Sequence, residues 1–301
     1  MTDVADAASP GAGSRALWVL VGVSVVIRAA VAYVACCLTA ALIWQAVHHG
    51  IGVVLSGTAW AGAVLLALSA AGTVRSARRL CRGLRATGAV AREVKARSLE
   101  AKAVDPAVCD AAVGAGLAGR VRVIEAAAPF AFTYGLLRPQ AVVSSGLAAV
   151  AAPGELSAVL VHECAHVRGH DPLKALVAAT LTARHFAFPL LDQLRETFAA
   201  DRELAADRRA VAHCGTRAVA GALLKAAGTP RWAAMAPAAA MGGRDLLEAR
   251  IAQLEKGRPP RPARPAPRRV AVTVVGVAAY SWALTGSAVL IAATPLACMG
   301  S

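Results

Sequence analysis

Residues 153–172 read PGELSAVLVHECAHVRGHDP. Pro153 suits the first position of a helix, where a missing N–H costs little, and Gly169 followed by Pro172 marks the end of that helix. The apolar lead-in of Val159, Leu160 and Val161 makes the helix a buried one. Inside it His162, Glu163, Cys164, Ala165 and His166 form an HExxH pattern. Four residues make little more than one helical turn, so both imidazoles lie on one face and can share a Zn²⁺ ion, with Glu163 placed to act on a water as general base. Two histidines and a glutamate buried there without a metal would be costly to desolvate, and the apolar lead-in argues against the plainer alternative of exposed surface histidines. Cys164 falls on a different face and reads as packing.

A zinc peptidase needs a third protein ligand and an open position for water. In the metzincin pattern Gly169 matches the glycine, but the third histidine would fall at Pro172, which excludes that class. The alternative is a glutamate on a second helix, and residues 201–208, DRELAADR, offer one. Glu203 and Asp207 are one turn apart on one face, so Glu203 could bind metal while Asp207 hydrogen-bonds the far nitrogen of a ligand histidine. Without the HExxH the same segment would read as a charged, solvated helix face. Glu196 and Asp192 are weaker candidates because they lack that partner arrangement.

Around this motif the chain is unusually apolar. Of 301 residues 57% are hydrophobic and 17% charged, with a mean hydropathy of +0.55, which excludes disorder and points to a membrane protein rather than an ordinary soluble enzyme. The apolar content is mostly Ala, Val and Leu, so the excess lies in helical runs. A net charge of +14 invites a nucleic-acid reading, but the basic residues cluster beside apolar segments and do not alternate with aromatics, so no nucleic-acid partner is expected. The seven cysteines lack metal-knuckle spacing and read as small apolar fillers in a reducing compartment.

No Asp, Glu, Lys or Arg occurs between Arg28 and Arg75, enough for two spans of ~20 residues, and His48, His49 and Gly50 divide the stretch into a helical hairpin. A third uncharged run starts at Val270. A signal peptide is discounted, because Asp3 and Asp6 precede a lone Arg15 where a positive leader would be needed. Arginines from Arg75 to Arg97 follow the second span, and those from Arg258 to Arg269 precede the last, so by the positive-inside rule the central region faces the cytosol. The expected organisation is an N-terminal tail over 1–15, a transmembrane hairpin over 16–74, a cytosolic zinc peptidase domain over 75–257, a stiff Pro/Arg linker over 258–269, a transmembrane helix over 270–293 and a tail over 294–301. The central domain is expected to be mainly helical with a small sheet, its strands at Arg120–Glu125 and Gln140–Ser144. Leu173–Leu191 is apolar but carries Lys174, Arg184 and His185, which favours a core helix against the bilayer over a further embedded element.

Three segments carry a resemblance to a known family: HECAHVRGHD at His162–Asp171, RELAADRRAV at Arg202–Val211 and AFTYGLLRPQAVVSSGL at Ala131–Leu147. Over roughly residues 105–255 the chain resembles the integral-membrane zinc peptidases of the BlaR/MecR type, which are related to the HtpX-like peptidases. The resemblance implies an α-helical membrane protein with a mainly helical, α+β gluzincin domain, a cytosol-facing active site in the cell membrane, Zn²⁺ as cofactor, and the roles given above to His162, Glu163, His166 and Glu203. Only a few tens of residues follow Arg269 and the last span uses them, so the extracellular penicillin-binding sensor of the best-known members is not expected.

The expected function is hydrolysis of peptide bonds in a cytosolic or membrane-proximal protein, such as a transcriptional repressor or other regulatory protein, with a protein or peptide substrate and the lipid bilayer as partners. A backbone edge near Ala141–Ser144 would align the peptide as an added strand. Tyr134 and His213 are candidate oxyanion stabilisers without a supporting pattern. The competing reading is a non-catalytic membrane signalling or scaffold protein that keeps the fold; Glu163 argues for the enzyme, since a scaffold has no need of a base between two ligands. A transporter is disfavoured by spans without an intramembrane carboxylate.

Overall fold

The computed structural model describes residues 12–50, 57–100, 103–225, 244–258 and 264–299. Most of the expected N-terminal tail, the middle of the Pro/Arg linker and the last two residues of the C-terminal tail lie outside the described residues. The chain divides into two compact units that interleave along the sequence.

One unit comprises Leu80–Ala179 and Arg195–Ala263, together with the first residues of the chain. Its sheet has three strands, β1 (Val121–Ile124), β2 (Ala131–Tyr134) and β3 (Gln140–Ser144), in the order β1-β3-β2. β3 pairs parallel with β1 and antiparallel with β2, and its run of Ala141, Val142 and Val143 is fully buried, as suits a central strand. This placement corrects the expectation of a peptide-binding edge at Ala141–Ser144: both sides of β3 are taken. β1 is shielded by Ser98, which bridges Ile124, so the edge to consider is that of β2. The Phe130 carbonyl accepts from Ser144 N–H, and by the alternation of an antiparallel ladder the N–H and C=O of Ala131 and Thr133 point away from β3. Sequence reasoning placed β1 and β3 but not β2, whose four residues are short and bounded by Pro129 and Gly135.

α5 (Pro153–Gly169) packs on β2 and β3 and α4 (Ser145–Val150) on β3; α3 (Pro106–Gly114) and α8 (Thr216–Lys225) pack against α5, α7 (Leu190–Cys214) precedes α8, and α9 (Arg244–Lys256) packs against α8. Ser144 ends β3 and caps α4, its hydroxyl accepting from the N–H of Leu147 at 3.0 Å. α5 starts at Pro153, with Glu155 accepting from the Ala152 N–H at 2.7 Å. It ends when His170 turns left-handed, at φ 50°, and its N–H closes back on His166 and Val167. The core joins Leu156, Leu160, Cys164 and Val167 of α5 to Val143 and Leu147, so Cys164 is a packing residue.

The other unit comprises Trp18–Arg79, Thr180–Leu194 and Arg264–Ser301. It contains most of α1 (Ala12–His49), the first part of α2 (Gly57–Arg97), the end of α6 (Asp171–Arg184) and α10 (Pro267–Met299). Among the described residues α1, α2 and α10 are long and apolar enough to cross a membrane. At 38 residues α1 is about 57 Å long, nearly twice a ~30 Å hydrocarbon core. Val31, Leu65 and Ala283, one from each helix, form the shared core. Close approach relies on small residues: a Cβ at Gly62 would collide with Leu38, and one at Gly286 would lie 2.5 Å from Ala61 Cβ. The segment from Thr180 to Leu194 packs among these helices, with Phe188 against Tyr280 at 5.1 Å between ring centroids.

Candidate metal centre

The register of α5 puts His162 and His166 on one side of the helix, and α7 brings Glu203 and Asp207 to the same place. His162 Nε2 and His166 Nε2 are 3.1 Å apart, and each is 3.4 Å from an oxygen of Glu203. Among the described residues this is the one group of three or more such side chains that could hold a metal ion. Glu196 and Asp192 lie on α7 outside it.

The chemistry of the donor set can be tested against a cation. Nδ1 of His162 lies 2.9 Å from Asp207 Oδ1, and Nδ1 of His166 lies 2.7 Å from Asp171 Oδ2. An ionised carboxylate only accepts, so both Nδ1 atoms carry the proton and both Nε2 atoms direct lone pairs inward. With both imidazoles neutral, two lone pairs and a carboxylate converge with no donor among them, an arrangement that either a divalent metal or a second proton on a histidine satisfies. The electrostatics follow from the same convergence. Burial works against charge on His162, yet its bonds to Asp207 and Glu203 outweigh this and lift its pKa to about 9. Burial likewise opposes charge on His166, and Glu203 and Asp171 raise its pKa nonetheless. For Glu203 burial would push the pKa up, but His166 and His162 hold it well below the usual carboxylate range.

Each carboxylate beside a histidine is in turn held by an arginine. Arg250 of α9 meets Asp207 with two bonds, Nε to Oδ2 at 2.7 Å and Nη2 to Oδ1 at 2.8 Å, and its Nη1 lies 3.5 Å from Glu203. Arg202 Nε donates to Asp171 Oδ2 at 2.8 Å. Gly169 makes room for this second pair, since a Cβ there would collide with the Arg202 guanidinium and lie 2.6 Å from Asp171 Oδ1. The glycine that matches a metzincin position therefore serves an arginine here.

Glu163 is buried, and its Oε2 accepts from Thr133 Oγ1 of β2 at 2.6 Å. The cavity over these groups is about 240 Å³; β2 lines one side with Ala131, Phe132 and Thr133, and Val159, Val219 and Leu223 supply apolar wall. Tyr134 donates to Gln140 Oε1 at 2.9 Å and His213 is exposed; neither lines the cavity.

Sequence reasoning missed Thr133, Asp171, Arg202 and Arg250 as site residues. Asp171 and Arg202 sit next to the motifs, and an acid following the helix end and a base preceding Glu203 were the available signals. Nothing local singles out Arg250, 43 residues beyond Asp207.

A family model described as BlaR1 peptidase M56 matches residues 11–254. Comparison with the curated proteins and with the solved structures finds no match.

Proposed function

Because the chain belongs to the BlaR1 peptidase M56 family, we propose that it is a membrane-bound zinc endopeptidase in which His162, His166 and Glu203 hold the metal and Glu163 is the general base. The observation that carries this reading is the convergence of the two Nε2 atoms on the Glu203 carboxylate, beside a buried glutamate. Zinc, when bound, supplies Lewis acidity toward the scissile carbonyl and the attacking water.

The chain's own residues do the rest. Asp207 and Asp171 fix the tautomer and tilt of the two imidazoles, and Arg250 and Arg202 hold those carboxylates in place. The Thr133 hydroxyl occupies Oε2 of Glu163, which leaves Oε1 to take the proton of the attacking water. As the water oxygen adds to the carbonyl carbon and the C–N bond breaks, Glu163 passes that proton to the leaving amine. The substrate backbone runs along β2, using the outward N–H and C=O groups of Ala131 and Thr133, and the apolar wall takes a substrate side chain.

The active site faces the cytoplasm in a multi-pass protein, because arginines crowd the ends of the apolar helices next to the peptidase segment. A cytosolic or membrane-proximal regulatory protein, such as a transcriptional repressor, is the substrate class that suits this location. The test is cleavage of a generic unfolded protein by the purified full chain with zinc. The reading requires cleavage that a chelator abolishes and zinc restores, and that Glu163→Gln lacks; cleavage untouched by either would refute it.

A further inference from the structure

The turn between α6 and α7 carries Arg184, His185 and Phe186, and side chains of α1 and α2 engage all three. Arg184 Nη1 donates to Thr73 Oγ1 at 2.7 Å, and Gly72 permits this approach because a Cβ there would collide with the Arg184 carbonyl. His185 Nε2 lies 2.8 Å from Ser24 Oγ, and both residues are buried. The Arg75 guanidinium stands over the Phe186 ring, 5.1 Å from its centroid. Arg28 lies one turn beyond Ser24 on the same face of α1, within electrostatic reach of both Arg184 and His185. Two further guanidinium groups, those of Arg75 and Arg28, thus lie near the turn that carries Arg184. Among the described residues none of the three forms an ion pair with a carboxylate, and Asp192 is the one carboxylate in a unit with eight arginines.

The surroundings identify the missing anion. Arg28 is exposed, and so are Val25 and Val26 beside it, on a helix that is apolar on both sides of this residue. A guanidinium on such a face is costly in a bilayer unless an anion meets it there, and the buried Ser24–His185 bond fixes this part of α1 against the turn that carries Arg184. The anion that a bilayer supplies to an arginine on a lipid-exposed helix face is a lipid phosphate, whose oxygens match the fork of an arginine. Exposed apolar side chains next to the cations give acyl chains a surface, which free phosphate could not use.

We propose that Arg28 and Arg184, with Arg75 at the rim and Thr73 holding Arg184 in place, bind the headgroup phosphate of an anionic phospholipid in the leaflet that meets the Arg-rich helix ends. The inference requires membrane association and is independent of the peptidase reading.

The test is lipid retention by the purified full chain, measured by native mass spectrometry after exchange into mixed phosphatidylglycerol and phosphatidylcholine. Phosphatidylglycerol should be retained in preference. Arg28→Gln should weaken retention about fivefold and Arg28→Gln with Arg184→Gln roughly twenty-five-fold. Among the described residues Arg28 is exposed and makes no hydrogen bond, so the single variant keeps the test meaningful if the double variant fails to fold. Arg217→Gln, which removes the same charge from exposed α8, should change nothing. Equal retention of both lipids, undiminished retention in Arg28→Gln, or an equal loss in Arg217→Gln would overturn the proposal. Displacement of the lipid by inorganic phosphate would identify the site as one for a soluble anion and would also overturn it.

Discussion

Arg250 grips both carboxylate oxygens of Asp207, at 2.7 and 2.8 Å, while Asp207 itself has no exposed side-chain surface. A buried carboxylate that orients His162 is therefore anchored by a helix 43 residues away in sequence. Removing one partner of such a pair leaves the other charge uncompensated, a loss of ~3–5 kcal/mol. Asp207→Ala should accordingly lower the melting temperature of the purified chain as well as weaken zinc binding. Arg250→Met should weaken zinc binding by about 10–100-fold, because it frees the carboxylate that aims the imidazole. Thermal melts and zinc titrations of the two variants check this, and wild-type zinc affinity in Arg250→Met would count against the anchoring role.

Gly169→Ala inserts a methyl group where the Arg202 guanidinium and Asp171 Oδ1 already stand. The arginine must give way, and the expected result is a destabilisation of ~1–3 kcal/mol with a weaker hold on His166. A variant with unchanged stability and zinc affinity would show that Arg202 can relocate freely.

Thr133→Val keeps the shape of the side chain and removes the hydroxyl that donates to Glu163 at 2.6 Å. Zinc content should stay at the wild-type level while kcat falls by about 10–100-fold, since a less well-held base transfers protons less well. Ala131→Pro, by contrast, removes an N–H that points away from β3, so the sheet should persist while KM rises. Steady-state kinetics on a peptide substrate separate the two effects.

Despite burial, the bonds to Asp207 and Glu203 push the His162 pKa up from its ordinary 6.5 to about 9. A pKa raised by folding contributes stability that is complete below about 6.5 and is lost as the pH rises through about 9. The melting temperature of the metal-free protein should therefore decline between those values, and His162→Ala should flatten the decline. Zinc must displace the same proton, so its apparent affinity should climb by about tenfold per pH unit across this window. A pH-independent affinity would mean that His162 does not carry the proton.

The cytoplasmic orientation proposed above predicts that a reporter fused after Gly228 behaves as cytoplasmic and one fused after Ser301 as external. The opposite pattern would put the site outside the cell and exclude cytosolic substrates.

How much of this was readable in advance depended on the range of the interaction. His162 with His166, and Glu203 with Asp207, each share a helix face through a spacing of four, which a linear sequence displays directly. The runs that form α1, α2 and α10 are legible for a similar reason, because a continuous absence of charge is a local property. The central place of β3 is not local: it depends on β2, a four-residue strand, returning antiparallel beside it, and this moved the candidate substrate edge from Ala141–Ser144 to Ala131–Thr133. Arg250 was invisible because one arginine in a charged helix looks like any other until folding places it on Asp207. Thr180–Leu194 was obscured by its own charges, since the partners of Arg184 and His185, Thr73 and Ser24, lie more than a hundred residues earlier.

If His162, His166 and Glu203 hold one zinc ion, the zinc stoichiometry of the purified full chain should be about one per wild-type chain, the same for Glu163→Gln and Glu196→Ala, with a steep loss in Glu203→Ala. Normal zinc in Glu203→Ala together with loss in Glu196→Ala would contradict that ligand set and move the third ligand to the earlier glutamate.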